Sequence, residues 1–81
     1  MYLRYSTPFQ EKYERSPARV QKAMDKQAIL LKENLRHPSL HAKKYDESGD
    51  LWQARVTKGW RFYFTIEDDT YLLHDIRPHP K

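Results

Sequence analysis

An α+β fold is predicted, a small single domain of order β-α-α-β-β-β in which two N-terminal helices pack on one face of an antiparallel sheet. Three observations carry it. From Pro17 to about Arg36, Val20, Ala23, Met24, Ala28, Leu31 and Leu35 recur at helical spacing. From Leu51 to Val56 and from Trp60 to Ile66, apolar and polar residues alternate with period two. The chain has 81 residues and neither an internal repeat nor a Gly/Ser/Pro-rich linker, so residues 1–81 are expected to form one domain around one core.

Taken in order, Tyr2 to Tyr5 is short and aromatic and reads as an opening strand. Thr7-Pro8-Phe9-Gln10 offers a cap, a proline suited to the first helical position and a glutamine placed for a capping box, so a short helix is expected there. Phe9 and Tyr13, four apart, share its buried face. Ser16-Pro17 ends this helix and starts the long one by the same cap-plus-proline logic. Ile29 and Leu30 widen the long helix's apolar stripe, which fits packing across a sheet better than a two-stranded coiled coil. Asn34 to Pro38 breaks it, because the residue before a proline is pushed out of the α region. His37 to Asp50 has no clear period and reads as a long basic loop.

The next two hairpins decide which side chains share a face. A three-residue Thr57-Lys58-Gly59 loop, with Gly59 left-handed, pairs Val56 with Trp60 and Arg55 with Arg61. A two-residue loop would put Arg55 beside Phe62 on the apolar face. The first is expected. Likewise a three-residue Glu67-Asp68-Asp69 loop turns Leu72, His74 and Ile76 inward and sends Tyr71, Leu73, Asp75 and Arg77 toward the arginine face, whereas the two-residue version would bury Asp75 and Arg77. Arg55 and Arg61 then oppose each other away from the core. Like charges opposed on a sheet destabilise it, so an anion that neutralises both is the natural functional explanation.

Composition narrows the function classes. The absence of cysteine removes disulfides, thiolate nucleophiles and cysteine zinc sites. A mean hydropathy of -1.02 would suit a disordered tail, but 14% aromatic residues predict a folded chain with a thin aromatic core. No apolar run approaches the ~20 residues that cross a bilayer, and no signal-peptide pattern follows Met1, so a cytoplasmic protein is expected. The net charge of +4 is unevenly spread. Bases outnumber acids as far as Arg61, and acids outnumber bases after it. A polyanionic partner, RNA or DNA first, accounts for this, and so does simple solubility. The four histidines lack metal-ligand spacing: no His-x-x-x-His pair falls on the predicted helix, and Pro38 separates His37 from His41. No metal and no cofactor are expected. His74 reads as strand packing, and the acidic turn Glu67-Asp68-Asp69 as turn chemistry.

The element order, the His-Pro punctuation after the long helix, the core LWQARVTKGWRFYFTIEDDTYLLHDIRPH and the near-terminal histidine together resemble the RelE superfamily of bacterial toxins from toxin-antitoxin systems, RelE/YoeB/HigB-like. The resemblance runs over nearly the whole chain. Its most specific stretch is Trp-x-x-Arg-Val, a short turn, Arg-aromatic-x-aromatic, an acidic turn, an apolar strand and a final histidine. The resemblance implies an mRNA endoribonuclease that inhibits translation, commonly at the ribosome, and that a cognate antitoxin protein silences by wrapping around it. Carried over residue by residue, the family's strand arginines fall on Arg55 and Arg61, and its C-terminal catalytic His or Arg on His79. The basic residues that precede the sheet correspond loosely to His41, Lys43 and Lys44. Two positions depart from the pattern: Arg77 stands where a glycine is frequent, and the tyrosine that many members carry after the histidine has no counterpart.

These residue types suit metal-independent RNA cleavage, in which the ribose 2'-hydroxyl attacks the adjacent phosphate. The reaction needs a base for the 2'-proton, an acid for the departing 5'-oxygen and fixed cations for the charge that builds on phosphorus. His79 is expected as general acid or base, and Arg55 and Arg61 as the phosphate clamp. Lys43, Lys44 or His41 assists the 2'-oxygen or stabilises the transition state. Lys44, His41, Arg77 and Lys58 are expected to bind the RNA around the scissile bond. Two other functions compete: a ParE-like toxin that inhibits DNA gyrase, which has no need of a proton-transfer residue, and a non-catalytic module that binds RNA or antitoxin.

Overall fold

The computed structural model describes residues 1–46 and 48–80. Five strands, β1 (Tyr2–Tyr5), β2 (Lys43–Asp46), β3 (Leu51–Thr57), β4 (Trp60–Glu67) and β5 (Thr70–Pro78), form one sheet in the order β1-β5-β4-β3-β2. Helices α1 (Thr7–Arg15) and α2 (Ala18–Glu33) follow β1, and a 3-10 turn spans Pro38–Leu40. The expected α+β class holds, with the helices on one face. The sheet is mixed: β1 runs parallel to β5, and every other neighbouring pair is antiparallel. After β1 the two helices carry the chain across the sheet, so β2 enters at the opposite edge and the β3–β5 meander returns to lie beside β1.

The core is the layer between helices and sheet. Phe9 of α1 and Val20, Met24, Ala28 and Leu31 of α2 pack against Ala54, Val56, Phe62, Phe64, Leu73 and Ile76 of the sheet, with Leu40 closing one end. Trp52 stacks on Phe64 and Phe64 on Phe62, with centroids 6.1 and 5.6 Å apart. Each buried ring takes a large apolar area out of water, and burial of that kind stabilises the fold.

The helix starts differ from expectation by one residue. Ser6 caps α1, its Oγ accepting from the Phe9 amide at 3.2 Å, and Thr7 is the first helical residue. Gln10 donates its amide to the Tyr5 carbonyl at 2.9 Å and completes no capping box. Ser16 caps nothing in α2, since its hydroxyl donates back to the Lys12 carbonyl. Pro17 holds the N-cap position without a side-chain bond, so the α2 start rests on proline's fixed φ. The long helix ends at Glu33, three residues before the sequence pattern fades, and Asn34 bonds the turn that follows.

Within the expected loop lies β2. All four of its residues are exposed, so no apolar alternation marks it, and pairing with β3 alone makes it a strand. Both hairpins turn on two residues, with bulges that preserve the side-chain phase. Thr57 pairs with Trp60 and Arg55 with Arg61, which leaves Val56 as the extra residue on β3. Gly59 does not take a left-handed φ. In the second hairpin Glu67 pairs with Thr70, and Asp68 takes φ 54°. On β5, Asp75 pairs with Tyr63 and Leu73 with Phe64, so His74 is the extra residue. Tyr71, Leu73 and Ile76 therefore all point into the core, while Leu72 and His74 are only half-buried. The expected inward set Leu72, His74 and Ile76 is corrected to Tyr71, Leu73 and Ile76. A single bulge lets the apolar residues on both sides of His74 reach the core without burying Asp75 or Arg77.

Candidate functional site

On the sheet face away from the helices, three arginines lie in one row. Arg55 on β3 pairs with Arg61 on β4, and Arg61 pairs with Arg77 on β5. The Val56 bulge makes the first pair, and the His74 bulge brings in the third. The next row reads Lys43, Gln53, Tyr63 and Asp75 across β2 to β5.

The row is underneutralised. Among the described residues neither Arg55 nor Arg61 has a carboxylate within ion-pair distance. Arg77 lies 3.7 Å from Asp75, but Asp75 bonds Lys12 at 2.8 Å. Burial and, after it, the neighbouring Arg55 charge push the Arg61 pKa below its ordinary value. The Arg55 Nε is buried and, among the described residues, has no hydrogen-bond partner. Arg61 serves the fold as well as the row: its Nη1 donates to the carbonyls of Thr57, Lys58 and Trp60 at 2.8, 3.1 and 3.0 Å. This fastens the guanidinium to the β3–β4 turn and limits how far it can swing.

The same turn collects two further expected residues. Lys58 occupies it, exposed to solvent. His79, two residues beyond Arg77 and also exposed, donates its backbone N–H to the Gly59 carbonyl at 2.8 Å. That bond ties the chain after β5 to the turn, at the arginine end of the sheet.

His41 takes φ 47° at the end of the 3-10 turn and, with Lys26, Gln27 and Arg55, lines a recess of about 360 Å³ between α2 and β3. Lys43 and Lys44 separate. Lys43 pairs with Gln53 beside the arginine row, whereas Lys44 pairs with Trp52 and lies 3.5 Å from Asp50. Successive strand residues point to opposite faces, so the structure does not bring Lys44 to the row. Sequence reasoning missed Tyr63 and Tyr45. Arg77 lies over the Tyr63 ring at 4.4 Å, and Tyr45 meets Tyr63 at 78° with centroids 5.1 Å apart. Period two already put Tyr63 on the Arg61 face, but nothing in the local sequence marked Tyr45 as part of a strand.

Among the described residues no group of three or more His, Asp or Glu side chains could hold a metal ion, and no helix is long and apolar enough to cross a membrane. What the arrangement can do is hold an anion against a row of guanidinium groups, beside the turn to which the His79 backbone is tied.

No family model matches the chain, and no curated protein matches it by sequence. Solved structures do match it in shape. A YoeB/ParE toxin from Agrobacterium tumefaciens superposes with a TM-score of 0.82 at 17% identity, covering 99% of this chain and 100% of that one. The archaeal RelE-RelB complex from Pyrococcus horikoshii gives 0.82 at 13% identity over 99% and 96% of the two chains. The YoeB dimer from Staphylococcus aureus gives 0.79 at 13% identity over 99% and 98%. Over its whole length, then, the chain has the fold of the RelE- and YoeB-type toxins.

Proposed function

We propose that the protein is the toxin of a toxin-antitoxin pair and acts as an endoribonuclease on mRNA. The observation that carries this reading is the arginine row: Arg55, Arg61 and Arg77 opposed on three adjacent strands, with no carboxylate on the first two among the described residues. A fold spends stability on such a row, and a phosphate recovers it.

In this reading the scissile phosphate lies over Arg55 and Arg61. The 2'-oxygen attacks phosphorus, the bond to the 5'-oxygen breaks, and the products are a 2',3'-cyclic phosphate and a free 5'-hydroxyl. His79 transfers one of the two protons involved, and Lys43, in the strand row next to the arginines, serves the 2'-oxygen. The arginines stabilise charge on the phosphoryl oxygens, and Arg61 does so from a position its turn contacts already hold. His41, Lys58 and Arg77 contact the flanking strand. Lys44, on the other face, takes no part at the scissile bond.

Four of the similar structures are complexes of such toxins with RelB or YefM partners, which supports a cognate antitoxin here. An acidic partner over the long helix and the arginine face would neutralise the cations meant for RNA. The ribosome is the expected place of action.

The test is induction of the wild-type chain in growing cells. Growth arrest with cleaved mRNA is expected, and His79→Ala or Arg61→Ala should abolish both, with Arg61→Ala checked for folding because of its turn contacts. Intact messages with stalled DNA supercoiling would replace this reading by gyrase inhibition, and no toxicity would replace it by a binding module.

A further inference from the structure

Resting on the ribonuclease reading, we infer that Tyr45 is a stacking platform for one nucleobase of the bound RNA, next to the scissile phosphate. Tyr45 is 55% exposed, yet its edge-to-face contact with Tyr63 gives the ring a defined position. Tyr63 itself is buried, with the Arg77 guanidinium over it at 4.4 Å. The aromatic pair is therefore continuous with the arginine row.

Two other exposed tyrosines, Tyr2 and Tyr5, belong to β1 at the far edge of the sheet. Among the described residues, Tyr45 is the one exposed tyrosine that adjoins the row, on the strand that also carries Lys43. The chemistry fits a single-stranded nucleic acid. Its phosphate needs fixed cations and its unstacked base needs an apolar face, and every base offers one. An open tyrosine beside a cationic row supplies both, and it explains why the edge strand exposes a large ring that could otherwise be polar.

The test uses the full chain free of antitoxin and a short labelled single-stranded RNA blocked at its 2'-hydroxyls, with matched RNAs in which one base at a time is removed. Tyr45→Ala should weaken binding of the intact RNA about tenfold, and Tyr45→Phe should leave it within about twofold. Removing one particular base should cost the wild type about as much as Tyr45→Ala does, and should cost the Ala variant nothing further. The inference is overturned if Tyr45→Ala binds intact RNA as the wild type does. It is also overturned if the variant loses affinity equally for every base-deleted RNA, or if it weakens only the antitoxin complex. Arg55→Ala separates this from the reading beneath: wild-type binding that ignores Arg55→Ala removes the arginine clamp while leaving the base test intact. A wild-type chain that binds no RNA overturns both.

Discussion

The side-chain amide of Gln27, buried in the middle of α2, donates to the main-chain carbonyl of Arg55 at 2.9 Å and to that of Ser39 at 3.1 Å. One residue thus joins the long helix, the 3-10 turn and the strand at the head of the arginine row. Gln27→Leu removes the amide and leaves both carbonyls without their donor. A loss of about 1–3 kcal/mol in urea unfolding is expected, with a larger fall in RNA affinity than Lys22→Leu produces on the exposed face of the same helix.

Opposed guanidinium groups lower stability in the absence of an anion. Arg55→Met removes one charge and a buried Nε without a described partner. It should raise stability by about 0.5–1 kcal/mol at low salt while abolishing RNA cleavage. Added salt should stabilise the wild type more than the variant, because screening does what the substitution has already done. Equal salt responses in thermal unfolding would count against the row as a source of strain.

The α1 cap can be located by two substitutions. Ser6 accepts from the Phe9 amide, and its hydroxyl also donates to the His74 carbonyl at 3.2 Å, linking the helix start to the β5 bulge. Ser6→Ala should cost about 1–2 kcal/mol. Thr7→Ala should change stability by less than about 0.5 kcal/mol. Equal effects in denaturant unfolding would contradict the Ser6 assignment.

Alkaline stability should depend on Tyr71. Burial against Phe64 raises its pKa above the ordinary phenol value of 10.0. A pKa higher in the folded than in the unfolded chain means that the stabilisation is fully present below pH 10 and is lost as pH rises through the folded value. Tyr71→Phe should flatten that alkaline fall while leaving neutral stability within about 1 kcal/mol, as followed by thermal unfolding across pH.

The elements with a strong local period were legible. Val20 to Leu31 at helical spacing and Trp52 to Phe64 at period two name the α2, β3 and β4 parts of the core, because burial on one face imposes that period on any sequence that folds this way. Arg55 opposite Arg61 was legible for the same reason, although a bulge at Val56 and a two-residue turn produce it rather than a left-handed Gly59. The Lys43–Asp46 strand was not. Its residues are exposed and polar, and only the open edge of β3 makes them a strand.

From the sequence alone came the α+β class, the α2, β3 and β4 parts of the core and the opposed arginine pair, all consequences of side-chain periodicity along a few neighbouring residues. Tertiary structure decided what depends on pairing between distant segments. It set β1 parallel to β5, placed Lys43 and Lys44 on opposite faces, and used the His74 bulge to send Tyr71 and Leu73 inward while aligning Arg77 with Arg61. Strand register and bulge position are chosen by the summed burial of the whole sheet, and no local stretch contains that sum.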